Sequence, residues 1–272
     1  PSTGGTFKPV EIITPAGTIV NPNFPAPVSN ANINTAQRIA DVVLGALAQI
    51  IPDNVPAASS GSMGLFTIGG IDPRTGRYYS YVETYGGGQG AVVNQDGMDG
   101  VHTNMTNTRN TPVEVIEIAY PLLVNRYSLV PDTDGPGKFR GGLGLTRELE
   151  VLDHAPIMSL GTDRLKLHPW GLKGGQAGGT VGSRIITAGG EEIPLPSKTT
   201  REVAPGSRII LQTAGAGGYG DPYDRDPQRV RQDVIEGFIS IERAKDAYGV
   251  VLNAKTYEVD DAATRAERKQ ND

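Results

Sequence analysis

Tyr78-Tyr79-Ser80-Tyr81-Val82-Glu83-Thr84 reads as a strand, and Tyr85-Gly86-Gly87-Gly88-Gln89-Gly90, which follows directly, is four-fifths glycine after its tyrosine. This alternation of strand and glycine run recurs from Ser62 to Gln212. Strands are predicted at residues 65–68, 78–84, 113–120, 123–129, 147–152, 157–161, 183–187 and 208–212, bounded by turn residues. Glycine-rich runs at 86–90, 135–144 and 171–182 join them. Val113, Val115 and Glu117 alternate with Glu114, Ile116 and Ile118, so that strand is expected to be covered on both faces.

Outside this region the pattern is different. Residues 10–13 and 18–20 read as short extended pieces around the turn Pro15-Ala16-Gly17. Asn34 or Thr35 then caps a helix predicted to run to Ile51. Ile39, Val43, Leu47 and Ile50 lie on one face, and Ala40, Leu44 and Ile51 widen the stripe. With few charges it is expected to be buried nearly all round. Near the C-terminus, Asp226-Pro227 opens a helix with Val230, Val234 and Phe238 inward. Ser240 caps another over 241–248, closed by Gly249. The last twenty residues are polar and predict a surface strand and a frayed helix. The fold class expected is α+β, strand-dominated with Gly-rich loops, one buried helix near the N-terminus and a short helical C-terminal region. No repeat or linker divides residues 1–252, and 253–272 read as a polar tail.

Composition excludes several functions. The 272 residues carry 36 Gly and 20 Pro, no Cys, and a net charge of −5. Glycine is about twice its usual share, interleaved with apolar runs, which argues for a turn-rich globular chain. Without cysteine there is no disulfide framework, Cys-ligated zinc or thiol nucleophile. The acidic balance and lack of a basic cluster argue against nucleic acid. No apolar run approaches membrane-spanning length and no leader is evident, so a cytoplasmic chain is expected.

Most motif-like stretches fail on spacing. Residues 86–90 lack G-x-G-x-x-G and no helix pattern follows, so nothing would hold a pyrophosphate there. Gly137-Lys138 is followed by Phe139 rather than the Ser or Thr of a phosphate loop. Asp132-Thr133-Asp134 resembles the start of a calcium loop, but Pro136 and Leu143 occupy ligand positions. The three histidines, His102, His154 and His168, show no metal-ligand spacing; His154 is expected at the surface and His168 in a turn. The run 101–112 stands apart, with nine polar residues in twelve. Its side chains could serve only local turns, or Arg109 could clamp an anion while His102 moves a proton.

That run, Gly100-Val101-His102-Thr103-Asn104-Met105-Thr106-Asn107-Thr108-Arg109-Asn110-Thr111-Pro112-Val113-Glu114, resembles the signature of the hydantoinase B family. The family comprises B-type subunits of ATP-dependent N-methylhydantoinases, 5-oxoprolinases and acetone- or acetophenone-type carboxylases. Further similar blocks follow in family order. They include Phe7-Lys8-Pro9-Val10-Glu11, Thr35-Ala36-Gln37-Arg38, Pro56-Ala57-Ala58-Ser59-Ser60-Gly61 and Glu83-Thr84-Tyr85-Gly86-Gly87-Gly88. Lys138-Phe139-Arg140-Gly141-Gly142, Pro169-Trp170-Gly171-Leu172-Lys173-Gly174-Gly175, Gly217-Gly218-Tyr219-Gly220-Asp221-Pro222 and Ala247-Tyr248-Gly249-Val250 complete the series.

The resemblance implies that residues 1–252 correspond to the C-terminal half of a B-type subunit. Pro1 then reads as the start of a split-gene product or of a processed chain. It further implies an A-type partner that binds ATP and Mg2+. A catalytic divalent metal (Mn, Zn or Fe) would be held in the N-terminal half by a His-x-x-Asp step and a later His, which this chain lacks, so no cofactor is expected on it alone. The expected activity is ATP-dependent hydrolysis of a cyclic amide, a hydantoin, oxoproline or related lactam. Arg109 would contact an anion and His102 transfer a proton, while Asn107 and Glu83 would orient substrate or metal-bound water. Asn104 stands where many members carry a second His, which weakens a two-histidine relay. The alternatives are a subunit of an ATP-dependent ketone carboxylase and a non-catalytic scaffold half of such a complex.

Overall fold

The computed structural model describes residues 8–61 and 63–269. Pro1, Phe7 of the first family-like block, and Ser62 lie outside the described residues. Among these, nine strands are formed: β1 (Leu65–Ile71), β2 (Tyr78–Thr84), β3 (Leu122–Leu129), β4 (Leu145–Val151), β5 (Ile157–Gly161), β6 (Arg184–Ile186), β7 (Glu192–Pro194), β8 (Lys198–Glu202) and β9 (Arg208–Gln212). They build two antiparallel sheets, one in the order β2-β1-β5-β8 and the other β3-β4-β9-β6-β7. With five α-helices beside the sheets, the mixed α+β class is as expected.

The sheets share one core. Alternation on β1 turns Phe66 and Ile68 inward, where Met158 and Leu160 of β5 join them. Leu149 and Val151 of β4, Ile185 of β6 and Ile209 and Leu211 of β9 complete the same cluster from the other sheet. Each such side chain, fully buried, contributes about 1.5–3 kcal/mol. The inward face of β2 carries Tyr79, Tyr81 and, at its end, the carboxylate of Glu83.

Two short strands carry no signal readable in the sequence. β8 is an edge strand of Lys-Thr-Thr-Arg-Glu, and an edge needs polarity rather than apolar alternation. β7 is three residues long and pairs only with β6.

The expected strand over 113–120 is a helix, α2 (Val113–Ala119). Its apolar residues fit both periods, and so short a run cannot discriminate between them. Pro112 starts the turn by accepting from the amides of Val115 and Ile116, and Ile116 alone is buried. Tertiary context overrides the β-propensity of its Val and Ile residues.

The early helix, α1 (Ala36–Leu47), forms but ends at Leu47 rather than Ile51; a π-turn at Ala31–Thr35 precedes it in place of a side-chain cap, and its burial is inverted. Gln37 and Asp41 are its buried residues, whereas Ile39, Val42, Val43 and Leu47 are exposed. The expectation of burial all round therefore fails within this chain. Gly45 allows the helix to approach the Trp170 ring, and the polar side meets the loop at 101–112.

The glycine runs lie against one another. Gly88 donates to Ala214, Gln89 to Met98, Gly142 to Gln89, Ala216 to Gly142, and Gly135 to Ala216. Extended backbones thus bond as in a sheet but at closer range. At Gly215 an added Cβ would overlap the Thr133 carbonyl, and at Gly88 that of Gly142. The amides of Gly87, Gly88 and Gln89 are consumed inside the chain, which is the physical reason the run is no phosphate cradle.

Helices α3 (Pro227–Ile235) and α4 (Ile241–Tyr248) form as expected, capped by Asp226 and Ser240, with Gly249 left-handed at the close. Phe238 falls beyond the end of α3, under the Arg140 guanidinium. These helices share a second core of Val230, Val234, Ile239, Ala244, Tyr248 and Val250. The last, α5 (Asp261–Lys269), docks through Arg268, which donates to the Tyr248 and Arg225 carbonyls. Buried ion pairs tie this helical region to the glycine array. Arg225 bridges Asp96 and Asp233, and Arg243 and Tyr248 both bind Asp134. The acidic residues of the rejected calcium motif are thereby engaged, Asp132 accepting from the Ser240 amide. No described helix is long and apolar enough to cross a membrane.

Candidate active site

The loop at 101–112 is held at three points. Val101 exchanges backbone hydrogen bonds with Gly87 in the glycine array. From α1, Gln37 Nε2 donates to the Thr103 carbonyl at 3.3 Å and to the Thr106 hydroxyl at 3.2 Å. One turn on, Asp41 accepts from Asn104 Nδ2 at 3.1 Å, fixing that residue in a left-handed conformation (φ 58°). Asp41 is itself held by Arg38 at 2.8 Å and by buried Arg164 at 2.7 Å. Burial first, and then the neighbouring charge of Arg38, lowers the pKa of Arg164.

The third anchor is Glu83. Its Oε1 accepts the Thr111 amide at 2.9 Å, and its Oε2 takes the Tyr81 hydroxyl at 2.6 Å and the Arg147 guanidinium. Arg147 in turn stacks over the Tyr127 ring, 4.5 Å from its centroid. Burial, with the Glu83 charge added, raises the pKa of Tyr81. Both carboxylate oxygens of Glu83 are thus occupied by the protein.

Between these anchors residues 107–110 stand exposed and form one wall of an open cleft of about 400 Å³. Gly86, Met98, His102, Asn107, Arg109 and Asn110 line it. Of the four residues singled out from the sequence, the structure brings His102, Asn107 and Arg109 to this cleft and leaves Glu83 outside its lining. Among the described residues, Arg109 makes no hydrogen bond or ion pair, so its guanidinium is available to an anion. His102 is half-buried; its Nδ1 lies 3.4 Å from the Thr106 hydroxyl and its Nε2 is buried without a hydrogen-bond partner. Burial lowers its pKa, with the Glu83 charge partly opposing, so the ring is neutral at pH 7 and can accept a proton.

Sequence reasoning missed Gln37 and Asp41, the residues that set the loop. Their i,i+4 spacing, a polar pair in an apolar helix, was the available signal. The other histidines lie elsewhere. His168 Nδ1 bonds the Gly178 carbonyl. His154, expected at the surface, is buried, with its Nε2 2.6 Å from the Tyr79 hydroxyl. A position just before a strand carries no local sign of burial; packing against Tyr79 of β2 covers it. Among the described residues no three His, Asp or Glu side chains converge on a point that could hold a metal.

The family model for hydantoinase B/oxoprolinase matches residues 1–222. The chain belongs to the hydantoinase B/oxoprolinase family. It is 39% identical over 272 residues to the putative B-type subunit of a D-/L-hydantoinase from Pseudomonas sp. strain NS671, covering 99% of this chain and 45% of that one. Against the beta chain of the caprolactamase of Pseudomonas jessenii the identity is 34% over 281 residues, covering 98% and 48%. The crystal structure of the ATP-dependent caprolactamase from Pseudomonas jessenii superposes with a TM-score of 0.83 at 32% identity, over 95% of this chain and 46% of that one. A nucleotide-free acetone carboxylase superposes at 0.64 with 23% identity, over 83% and 35%, a likeness of fold alone. This hydantoinase B/oxoprolinase family chain thus spans less than half the length of these relatives.

Proposed function

We propose that this chain is the C-terminal half of a B-type subunit in an ATP-dependent cyclic amide hydrolase acting on a hydantoin, oxoproline or related lactam. The observation that carries this reading is the single cleft in which a free guanidinium, Arg109, and a neutral imidazole, His102, stand together. A lactam carbon is a poor electrophile because its nitrogen donates into the carbonyl. Phosphorylation of the amide oxygen, by ATP and Mg2+ on an A-type partner subunit, makes it reactive and adds an anionic group. Arg109 binds that phosphoryl group and Asn107 hydrogen-bonds the ring. His102 takes a proton from the water whose oxygen bonds to the activated carbon. The C–N bond then breaks and the ring nitrogen leaves as an amine, while a second water releases the phosphate. Glu83 acts through the loop by holding the Thr111 amide. A divalent metal (Mn, Zn or Fe) belongs, in this reading, to the half of the subunit that this chain does not span.

A ketone carboxylase is the weaker reading, because the likeness to acetone carboxylase carries only the fold. The test is ATP-dependent ring opening by the purified complex of hydantoin, 5-oxoproline and caprolactam, read as ADP release. Arg109→Ala is expected to lower turnover about a hundredfold, as for loss of one charge-stabilising donor, with an unchanged melting temperature. Full activity in that variant overturns the assignment of the cleft. Turnover of a ketone that requires bicarbonate would replace hydrolysis with carboxylation.

A further inference from the structure

Residues 8–51 bury no apolar side chain; Gln37 and Asp41 are the buried residues of the whole segment. Yet this stretch, about a sixth of the described chain, supplies 13 of its 28 exposed large hydrophobic residues. Val42 is 70% exposed and Ile50 79%. The apolar side of α1 opens into a groove of about 640 Å³, where Ile19, Ile39, Val42, Val43 and Leu167 line the wall. Isolated soluble chains rarely leave so much contiguous apolar surface uncovered.

The character of the face narrows its occupant. The charged residues of α1, Arg38 and Asp41, are paired with each other and with Asp163 and Arg164, so the outer face carries no charge of its own. Transient partners meet on surfaces about as polar as the rest of a protein; permanent interfaces resemble a core cut in half. This face is of the second kind. The segment lies within the part matched by the family model, and the relatives continue for more than this chain's own length beyond the matched portion.

We infer that the apolar face of α1 and its groove seat the remaining half of the B-type subunit. The inference rests on the reading of this chain as part of such a subunit. It adds a consequence for the site: the same helix holds the His102 loop with its opposite face, through Gln37 and Asp41. Docking on one side of α1 therefore fixes the element that positions the loop on the other.

The experiment is site-specific photocrosslinking in the native complex, with benzoylphenylalanine in place of Val42 and, as control, of Tyr257 near the C-terminus. Crosslinks from position 42 are expected to map to a polypeptide homologous to the unmatched portion of the hydantoinase and caprolactamase subunits. Crosslinks to a second copy of this chain, to the ATP-binding subunit, or to nothing while position 257 behaves identically, overturn the inference. Val42→Asp adds a second readout. Co-purification of the companion half should fall about tenfold or more, because a carboxylate would be buried unpaired. The melting temperature of this chain alone should not move, since Val42 is exposed in it. ATP-dependent ring opening separates the two readings. An active complex whose position 42 crosslinks elsewhere loses only the docking inference; an inactive complex that crosslinks as expected loses only the proposed reaction.

Discussion

Gln37, buried within α1, donates a hydrogen bond to the Thr106 hydroxyl at 3.2 Å, and Thr106 lies 3.4 Å from His102 Nδ1. A helix residue distant in sequence thus sets the surroundings of the imidazole in the cleft. Gln37→Leu should cost about 1–3 kcal/mol by removing the bonds from Gln37 to the Thr103 carbonyl and the Thr106 hydroxyl in a buried setting. It should also loosen the loop and return the His102 titration toward its ordinary value. NMR titration of the imidazole resonances measures this; an unchanged His102 in a destabilised variant would show that Gln37 serves packing alone.

Glu83 and Arg147 form a buried pair, so each variant that removes one charge strands the other. Glu83→Gln or Arg147→Met should destabilise by about 3–5 kcal/mol. The double variant Glu83→Leu/Arg147→Met is expected to recover most of that, by urea denaturation. If the double variant regains stability but not turnover, Glu83 contributes to the site through the Thr111 amide rather than to the fold alone.

The glycine array makes sharp predictions about single methyl groups. Gly215→Ala places a Cβ on the Thr133 carbonyl, which is backbone and cannot yield, so this variant should fail to accumulate as folded protein. Gly189→Ala meets only the Thr187 hydroxyl at 3.8 Å and should fold as the parent does. Circular dichroism and gel filtration of the pair provide the comparison.

Stability should fall with acid through the histidines. Burial lowers the pKa of His154, with the Asp72 charge partly opposing, and burial also lowers that of His102. The folded state therefore binds fewer protons than the unfolded chain, and stability rises with pH. The contribution is lost as pH drops below the ordinary histidine value of 6.5 toward the lowered folded values. Urea midpoints at pH 7.5 and 5.5 should differ, and His154→Gln, which keeps a hydrogen-bonding group near Tyr79, should reduce the difference. An identical pH dependence in the variant would show that His154 titrates normally.

Local chemistry made much of this chain legible. Strands 78–84, 157–161 and 208–212 are read from apolar alternation and turn residues alone, and the Asp226-Pro227, Ser240 and Gly249 caps fix the C-terminal helices. The polar run at 101–112 could be singled out because nothing in its composition suits a core. Val113–Ala119 could not be read, because seven residues of Val, Ile, Glu and Ala satisfy helix and strand periods equally.

Periodicity and capping act within a few residues, so the sequence by itself determined strands such as 78–84, 157–161 and 208–212, the caps of the C-terminal helices, the family and the loop that bears His102 and Arg109. Which face of α1 turns inward depends on groups 66 and 63 residues away, and that Glu83 is spent on Arg147 and Thr111 depends on groups 64 and 28 residues away. Only the tertiary structure decided those. Burial of Gln37 and Asp41 in place of Ile39 and Val42 follows from where their hydrogen-bonding partners lie, and no local pattern in an apolar helix carries that information.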